Sequence, residues 1–222
     1  MKLQVLDATG QSVEEIDADD AVFGIEPNEP VVHQTLLAQL AARRSGSANT
    51  KSRSEVRGST RKLRRQKGLG MARVGSMSSP TRRGGGVAFG PKQRSYVQRL
   101  PKRMRRLAIR SVLSSRAADG RLKVVSDLGL DQPSTQVMAG VLKAIEVGRS
   151  TLVVIAASNT MVQRSARNLP GADVLTADTL NVADMLGHGT LVLTVDAVRR
   201  IEALWGGERA NGRPRAAAAV EA

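Results

Sequence analysis

Hydrophobic and polar positions divide the chain into two regularly patterned stretches, separated by one that has no period. The first twenty residues alternate as short strands do: KLQVLD, a turn at Ala8-Thr9-Gly10, then SVEEID. From Pro30 to Arg44 the period becomes helical, with Val32, Leu36, Leu37, Leu40 and Ala41 recurring at that spacing. Pro30 suits a first helical position, Asn28 is a nearby cap, and Arg43-Arg44 lie where a helix dipole favours cations. Between Ser45 and Leu100 only scattered apolar residues remain (Val56, Leu63, Leu69, Val74, Val87, Phe89), interspersed with nine glycines. Such a segment cannot bury enough surface to offset its conformational entropy, and alone in water it is expected to be disordered.

Regular patterning returns at Pro101. On a helical wheel Lys102, Arg103, Arg106 and Arg110 share one arc, and Met104, Leu107, Ala108 and Val112 the opposite one. Apolar runs then follow at LKVVSD (122–127), TLVVIA (151–156), ADVLT (172–176) and TLVLTVD (190–196), alternating with helical stretches near 134–147, 160–168, 178–185 and 196–205. Short buried strands alternating with helices predict βαβ units and a parallel sheet covered on both faces. The expected fold is α/β: a single three-layer domain with a mainly parallel central sheet. Residues 1–44 and 101–205 form its body, 45–100 an extended basic loop inserted near the N-terminus, and 206–222 a flexible tail of linker composition.

Charge changes this picture from a fold with a long loop to a fold with a binding element. Residues 43–116 hold 22 Lys and Arg against one acid, Glu55, a local net of +21; the remainder is −7, giving the chain its +14. There are no cysteines, which removes disulfides, thiol nucleophiles and Cys-based zinc sites. MKLQVLDATG lacks the apolar core of a signal peptide, and Leu152–Ala157 is far short of the roughly 20 residues that span a bilayer. A soluble intracellular protein is expected.

Enzyme chemistry finds little support. There is no GxxxxGK[ST], and the nearest approach to GxGxxG, Gly68-Leu69-Gly70-Met71-Ala72-Arg73, ends in Arg and follows no strand. His33 and His188 have no suitably spaced carboxylate or second histidine and read as packing or loop residues. Asp17, Asp19 and Asp20, with Glu26 and Glu29, read as a solvated acidic turn rather than a magnesium site. No nucleophile elbow occurs. No catalytic residue, metal or cofactor is expected.

The basic segment does carry chemistry. Arg61-Lys62-Leu63-Arg64-Arg65-Gln66-Lys67 runs directly into Gly68-Leu69-Gly70, and Arg82-Arg83 into Gly84-Gly85-Gly86. Arg forks onto phosphate and stacks on bases, Lys adds point charge, and glycine lets backbone approach a polyanion closely. The candidate RNA-binding set adds Arg43, Arg44, Lys51, Arg53, Arg57, Arg73, Lys92 and Arg94, with Phe89 for stacking, and Lys102, Arg103, Arg106 and Arg110 on the following helix. Nucleic acid is the expected partner, over an acidic protein or a membrane surface. Aromatic residues are scarce, so folded RNA met by shape and phosphate fits better than free single strands or sequence-read DNA.

With these residues in view, the chain resembles the bacterial large-subunit ribosomal protein L-four family. The likeness runs from Met1 to about Leu204. It is carried by RQKGLG and the AR-x-GS-x-xSP pattern (Arg65 to Pro80), GGGVAFGP (Gly84 to Pro91), VHQ (Val32 to Gln34) and TVDAV (Thr194 to Val198). The resemblance implies a cytoplasmic, ribosomal protein that binds large-subunit ribosomal RNA early in assembly. It implies a loop threaded to the peptide exit tunnel, with Gln66, Lys67, Gly68, Leu69, Gly70 and Met71 at its tip. There the loop would meet ribosomal protein L-twenty-two and the nascent peptide in passing. Repression of its own operon occurs in some family members. There are two departures from the pattern: Leu63-Arg64 stands where a Pro-Trp pair is common, and Met71 where Arg is usual. Reach is compatible with threading, since 56 residues folded into two arms extend up to roughly 90 Å.

Overall fold

The computed structural model describes residues 1–130, 132–148 and 150–206. The expected tail lies outside these, except for Gly206. Contacts divide the chain into two units: Met1–Leu40 with Arg99 onward, called the body below, and Ala41–Gln98.

The body is built on one six-stranded sheet in the order β2-β1-β3-β6-β4-β5. The strands are β1 (Lys2–Leu6), β2 (Ser12–Asp17), β3 (Leu122–Val125), β4 (Thr151–Ile155), β5 (Ala172–Thr176) and β6 (Thr190–Thr194). All neighbours pair in parallel except β1 and β2, an antiparallel hairpin whose second strand forms one edge. The helices are α1 (Asp20–Phe23), α2 (Glu29–Ala42), α3 (Lys102–Ala118), α4 (Thr135–Ala144), α5 (Thr160–Ala166), α6 (Val182–Gly187) and α7 (Val195–Trp205).

Period-two alternation sends successive strand residues to opposite faces, and because both are covered, both are apolar. Leu152, Val154, Leu191 and Leu193 meet Val22, Phe23, Leu113, Val198 and Ile201 in one cluster. Val153, Ile155 and Val192 meet Met138, Val141, Ile145 and Val162 in the other. Each of these side chains is buried, contributing about 1.5–3 kcal/mol for a Leu, Ile, Val, Phe or Met. The expected α/β class and mainly parallel sheet are therefore present.

Side-chain caps set where most helices begin. Asn28 Oδ1 accepts from Val31 N (3.2 Å), Asn159 Oδ1 from Met161 N (2.9 Å) and Asn181 Oδ1 from Asp184 N (3.0 Å). Three expectations need correction. The acidic turn holds α1, where Asp19 Oδ1 accepts from Ala21 N (2.8 Å) and Val22 and Phe23 are buried. The stretch at 178–185 is not one helix: a 3-10 turn (Ala177–Thr179) precedes α6, because Asn181 starts a new helix instead of continuing the old one. The last strand ends at Thr194, whose hydroxyl accepts from Ala197 N (3.2 Å) and turns Val195 and Asp196 into α7. In α2 the spacing of apolar residues overstates burial. Only Thr35 and Ala38 are buried, while Leu37 and Leu40 are exposed.

Candidate nucleic-acid interface

Among the described residues, 41–98 carry no strand, and the only helical residues are the last of α2. The segment nevertheless folds back on itself. Arg94 N donates to Gly46 O (3.3 Å), Thr50 N to Pro91 O (3.0 Å), Val87 N to Lys51 O (2.9 Å) and Leu63 N to Gly75 O (2.9 Å). These pairs nest, so two arms run antiparallel and close at 63–75 around the expected tip.

Glu55, the single acid, ties the arms together. Its carboxylate meets Lys92 Nζ at 2.5 Å and accepts from Ser52 N at 2.8 Å. The hydrogen bond from Lys92, helped by those from Ser52, lowers the carboxyl from its ordinary 4.5 to about 2. At the foot of the arms Arg44 and Arg94 lie over the Tyr96 ring, 3.9 and 4.6 Å from its centroid. The hydrogen bond and charge of Arg94 pull the Tyr96 hydroxyl below its ordinary range. Two expected RNA contacts thus also have a partner within the chain, a cation–π pair at an exposed site being worth about 0.5–1 kcal/mol.

At the tip, cations organise their own turn. Arg65 Nη2 donates to Gly68 O (3.0 Å), Arg64 Nη1 to Met71 Sδ (3.2 Å), and Lys62 Nζ to Gln66 Oε1. Gly68 (φ +83) and Gly70 (φ +60) supply left-handed positions that side-chain-bearing residues rarely adopt. Lys51, Arg53, Arg57, Arg61, Lys62, Arg65, Lys67, Arg73, Arg83, Lys92 and Arg94 are exposed; Arg64 and Arg82 are half-buried.

In the body, α3 carries the remaining cations of the expected RNA-binding set. It starts at Pro101 with no side-chain cap and no acid in its first turn. Lys102, Arg103 and Arg105 are exposed there, at the helix end that repels positive charge. A helix start that breaks the local electrostatic rule points to a functional demand. Arg105 belongs to this group although the wheel reading passed over it. Arg110 requires correction. It is not on an open cationic face; its Nη1 donates to Ala21 O (3.2 Å), and its buried Nε has no protein partner. Burial, reinforced by Arg106, pulls its guanidinium below the ordinary value. Arg116, outside the expected set, is also turned inward. Its guanidinium donates to Met185 O (3.2 Å), His188 O (2.9 Å) and Gly189 O (3.3 Å), satisfying carbonyls at the end of α6. His188 does have a carboxylate nearby, contrary to expectation: Nε2 is 3.1 Å from Asp173 Oδ2, while Nδ1 is 2.7 Å from Asp184 O.

An enzyme reading would look to the carboxyl ends of the parallel strands. The crevice there, about 540 Å³, is lined by apolar residues such as Leu128, Ile155 and Met161, by Ser and Thr hydroxyls, and by Asp127 and Asp196, with no histidine, lysine or arginine among the described residues. Asp127 already accepts from Leu128 N (2.7 Å). Among the described residues no cluster of His, Cys, Asp or Glu could hold a metal ion, and no helix is long and apolar enough to cross a membrane.

Residues 16–204 match the model of the ribosomal protein L4/L1 family. Two relatives named large ribosomal subunit protein uL4, from Dehalococcoides mccartyi strains BAV1 and CBDB1, are each 47% identical over 206 residues. Those alignments cover 93% of this chain and 98% of each relative.

Proposed function

The chain belongs to the ribosomal protein L4/L1 family, and on that premise we propose that residues 41–98 are an RNA-binding hairpin of a large-subunit ribosomal protein. Family membership makes the chain a structural component of the large ribosomal subunit, working in translation in the cytoplasm, and not an enzyme. The finer reading is that the hairpin binds large-subunit ribosomal RNA early in assembly. Its turn at Gln66–Met71 reaches the wall of the peptide exit tunnel beside ribosomal protein L-twenty-two, where the nascent peptide passes. Repression of its own operon is a further role of the same RNA-binding surface.

One observation carries the proposal: 41–98 hold fifteen Lys and Arg against Glu55 alone, with almost every cation exposed on a backbone that has no core of its own. Self-repulsion at that density is relieved by a polyanion. The uncapped, cation-loaded start of α3 supports the same partner from a second place. Arg64 and Met71 depart from the family pattern, yet they contact each other, which places both in one turn.

Counterion release tests the reading. Affinity of the full-length chain for large-subunit ribosomal RNA should fall steeply with salt, by about 0.9 in logarithmic slope per phosphate neutralised on a duplex. Competition by duplex DNA should be weak, and the chain should remain with the large subunit through a moderate-salt wash. A flat salt response, or equal affinity for DNA, would sink it.

A further inference from the structure

Resting on the reading of 41–98 as an RNA-binding element, we infer that Phe89 is a stacking residue whose ring covers the face of an unpaired base. Only two aromatic rings occur in 41–98, and the structure treats them oppositely. Tyr96 is half-buried beneath Arg44 and Arg94. Phe89 is 108% exposed, a ring held wholly in water.

That exposure is built in. Phe89 sits at φ +52, a left-handed conformation open to glycine and rarely adopted by an aromatic residue. In a stretch where glycine is plentiful, the strained position carries the largest apolar side chain of the segment. Strain of this kind persists only where surrounding structure enforces it, and it gathers at ligand sites. Here the enforcing structure is backbone packed on backbone. Val87 N donates to Lys51 O (2.9 Å), Gly86 N to Ser78 O (3.1 Å) and Gly85 N to Arg82 O (3.0 Å). A Cβ at Gly85 would strike the Ser79 carbonyl, one at Gly86 the Ser52–Arg53 backbone, and one at Gly90 the Thr50 side chain. The turn therefore fixes the backbone from which the ring projects into solvent.

Charge selects the partner. The arms that grip this turn expose Lys51, Arg53 and Arg83, a setting for a polyanion rather than for an apolar protein pocket. The π-face of a nucleobase meets both demands at once, and it tolerates any base identity. Bases within an RNA helix are covered on both sides, so the base is one splayed from a loop, bulge or junction.

Three variants of the full-length chain test this against large-subunit ribosomal RNA. Phe89→Trp should bind as the parent does. Phe89→Leu, apolar but without a π-face, should weaken binding roughly tenfold, within the range that one stacked base supplies. Phe89→Gly should weaken it comparably, although it relieves the backbone. The salt slope should stay unchanged in all three, because every cation that meets a phosphate is still present. Ultraviolet irradiation of the parent complex should link residue 89 to an unpaired nucleotide. Parent-like binding by Phe89→Leu would overturn the stacking role while leaving the RNA reading intact, since Arg65→Ala would still lower the slope. Loss of salt-dependent binding in the parent itself would overturn both.

Discussion

The body and the 41–98 hairpin answer one requirement, pairing of backbone polar groups, in opposite ways. In the body the groups are paired within a sheet and capped helices, and the side chains between them form two apolar clusters. In the hairpin a few cross-arm bonds do the pairing, and no apolar cluster backs them. Each such bond is worth about 0.5–1.5 kcal/mol net, whereas ordering one residue's backbone costs about 1–2 kcal/mol. The body can therefore hold its own fold. The hairpin holds an outline, and the rest of its stability has to come from what it binds.

The sharpest way to break this contrast is through the core. Leu113→Ala, at a fully buried site, should destabilise the body by about 2–5 kcal/mol in thermal or denaturant unfolding. The salt slope for RNA, measured where the body is still folded, should not change. Arg116→Met removes the donors for three carbonyls in and just after the last turn of α6. It should cost roughly 2 kcal/mol, again with RNA affinity kept below the melting range. The reverse pattern is expected at the tip: Arg65→Ala with Lys67→Ala should leave the body's melting within about 0.5 kcal/mol, while lowering the salt slope by about 0.9 for each phosphate no longer neutralised. A fall in body stability there would erase the distinction between the two units.

Smaller effects sharpen it. Arg103→Glu, which places an acid at the positive end of α3, should stabilise the body by about 0.3–1 kcal/mol and weaken RNA binding, so the two readouts move in opposite directions. The least effect is expected at Glu55. Its lowered carboxyl contributes to hairpin order above its ordinary 4.5, and that contribution is lost as pH falls from there through about 2. Carboxyl titration by NMR should find a midpoint near 2 in the parent, moving up toward the ordinary value in Lys92→Ala.

Much of the body was legible because its strands are short apolar runs and most of its helices start at Asn, Ser or Thr. LKVV, TLVVI, ADVLT and TLVLT each became a strand. What escaped depended on distant contacts. Four-residue α1 is too short for a period to show, and it exists because Phe23 and Val22 pack into the core. Arg110 falls on the cationic arc of the wheel, yet α1 offers it the Ala21 carbonyl, 89 residues away. In the basic segment, charge and glycine located the candidate interface. Position gave no hint that Glu55 pairs with Lys92, or that Arg44 and Arg94 share one ring. A positive φ at Phe89 has no signature in residue types, since the rule would have placed glycine there.

The nested bonds from 46–94 down to 63–75 have a topological meaning as well. A segment tied to the body at both ends has no free end to pass through a closed ring of RNA. It can only enter tip first through an opening wide enough for two chains, or be present while the RNA winds around it. In the proposed setting, connectivity then leaves two orders of events: protein before closure wherever the opening is narrower than two chains, and tip-first entry wherever it is wider.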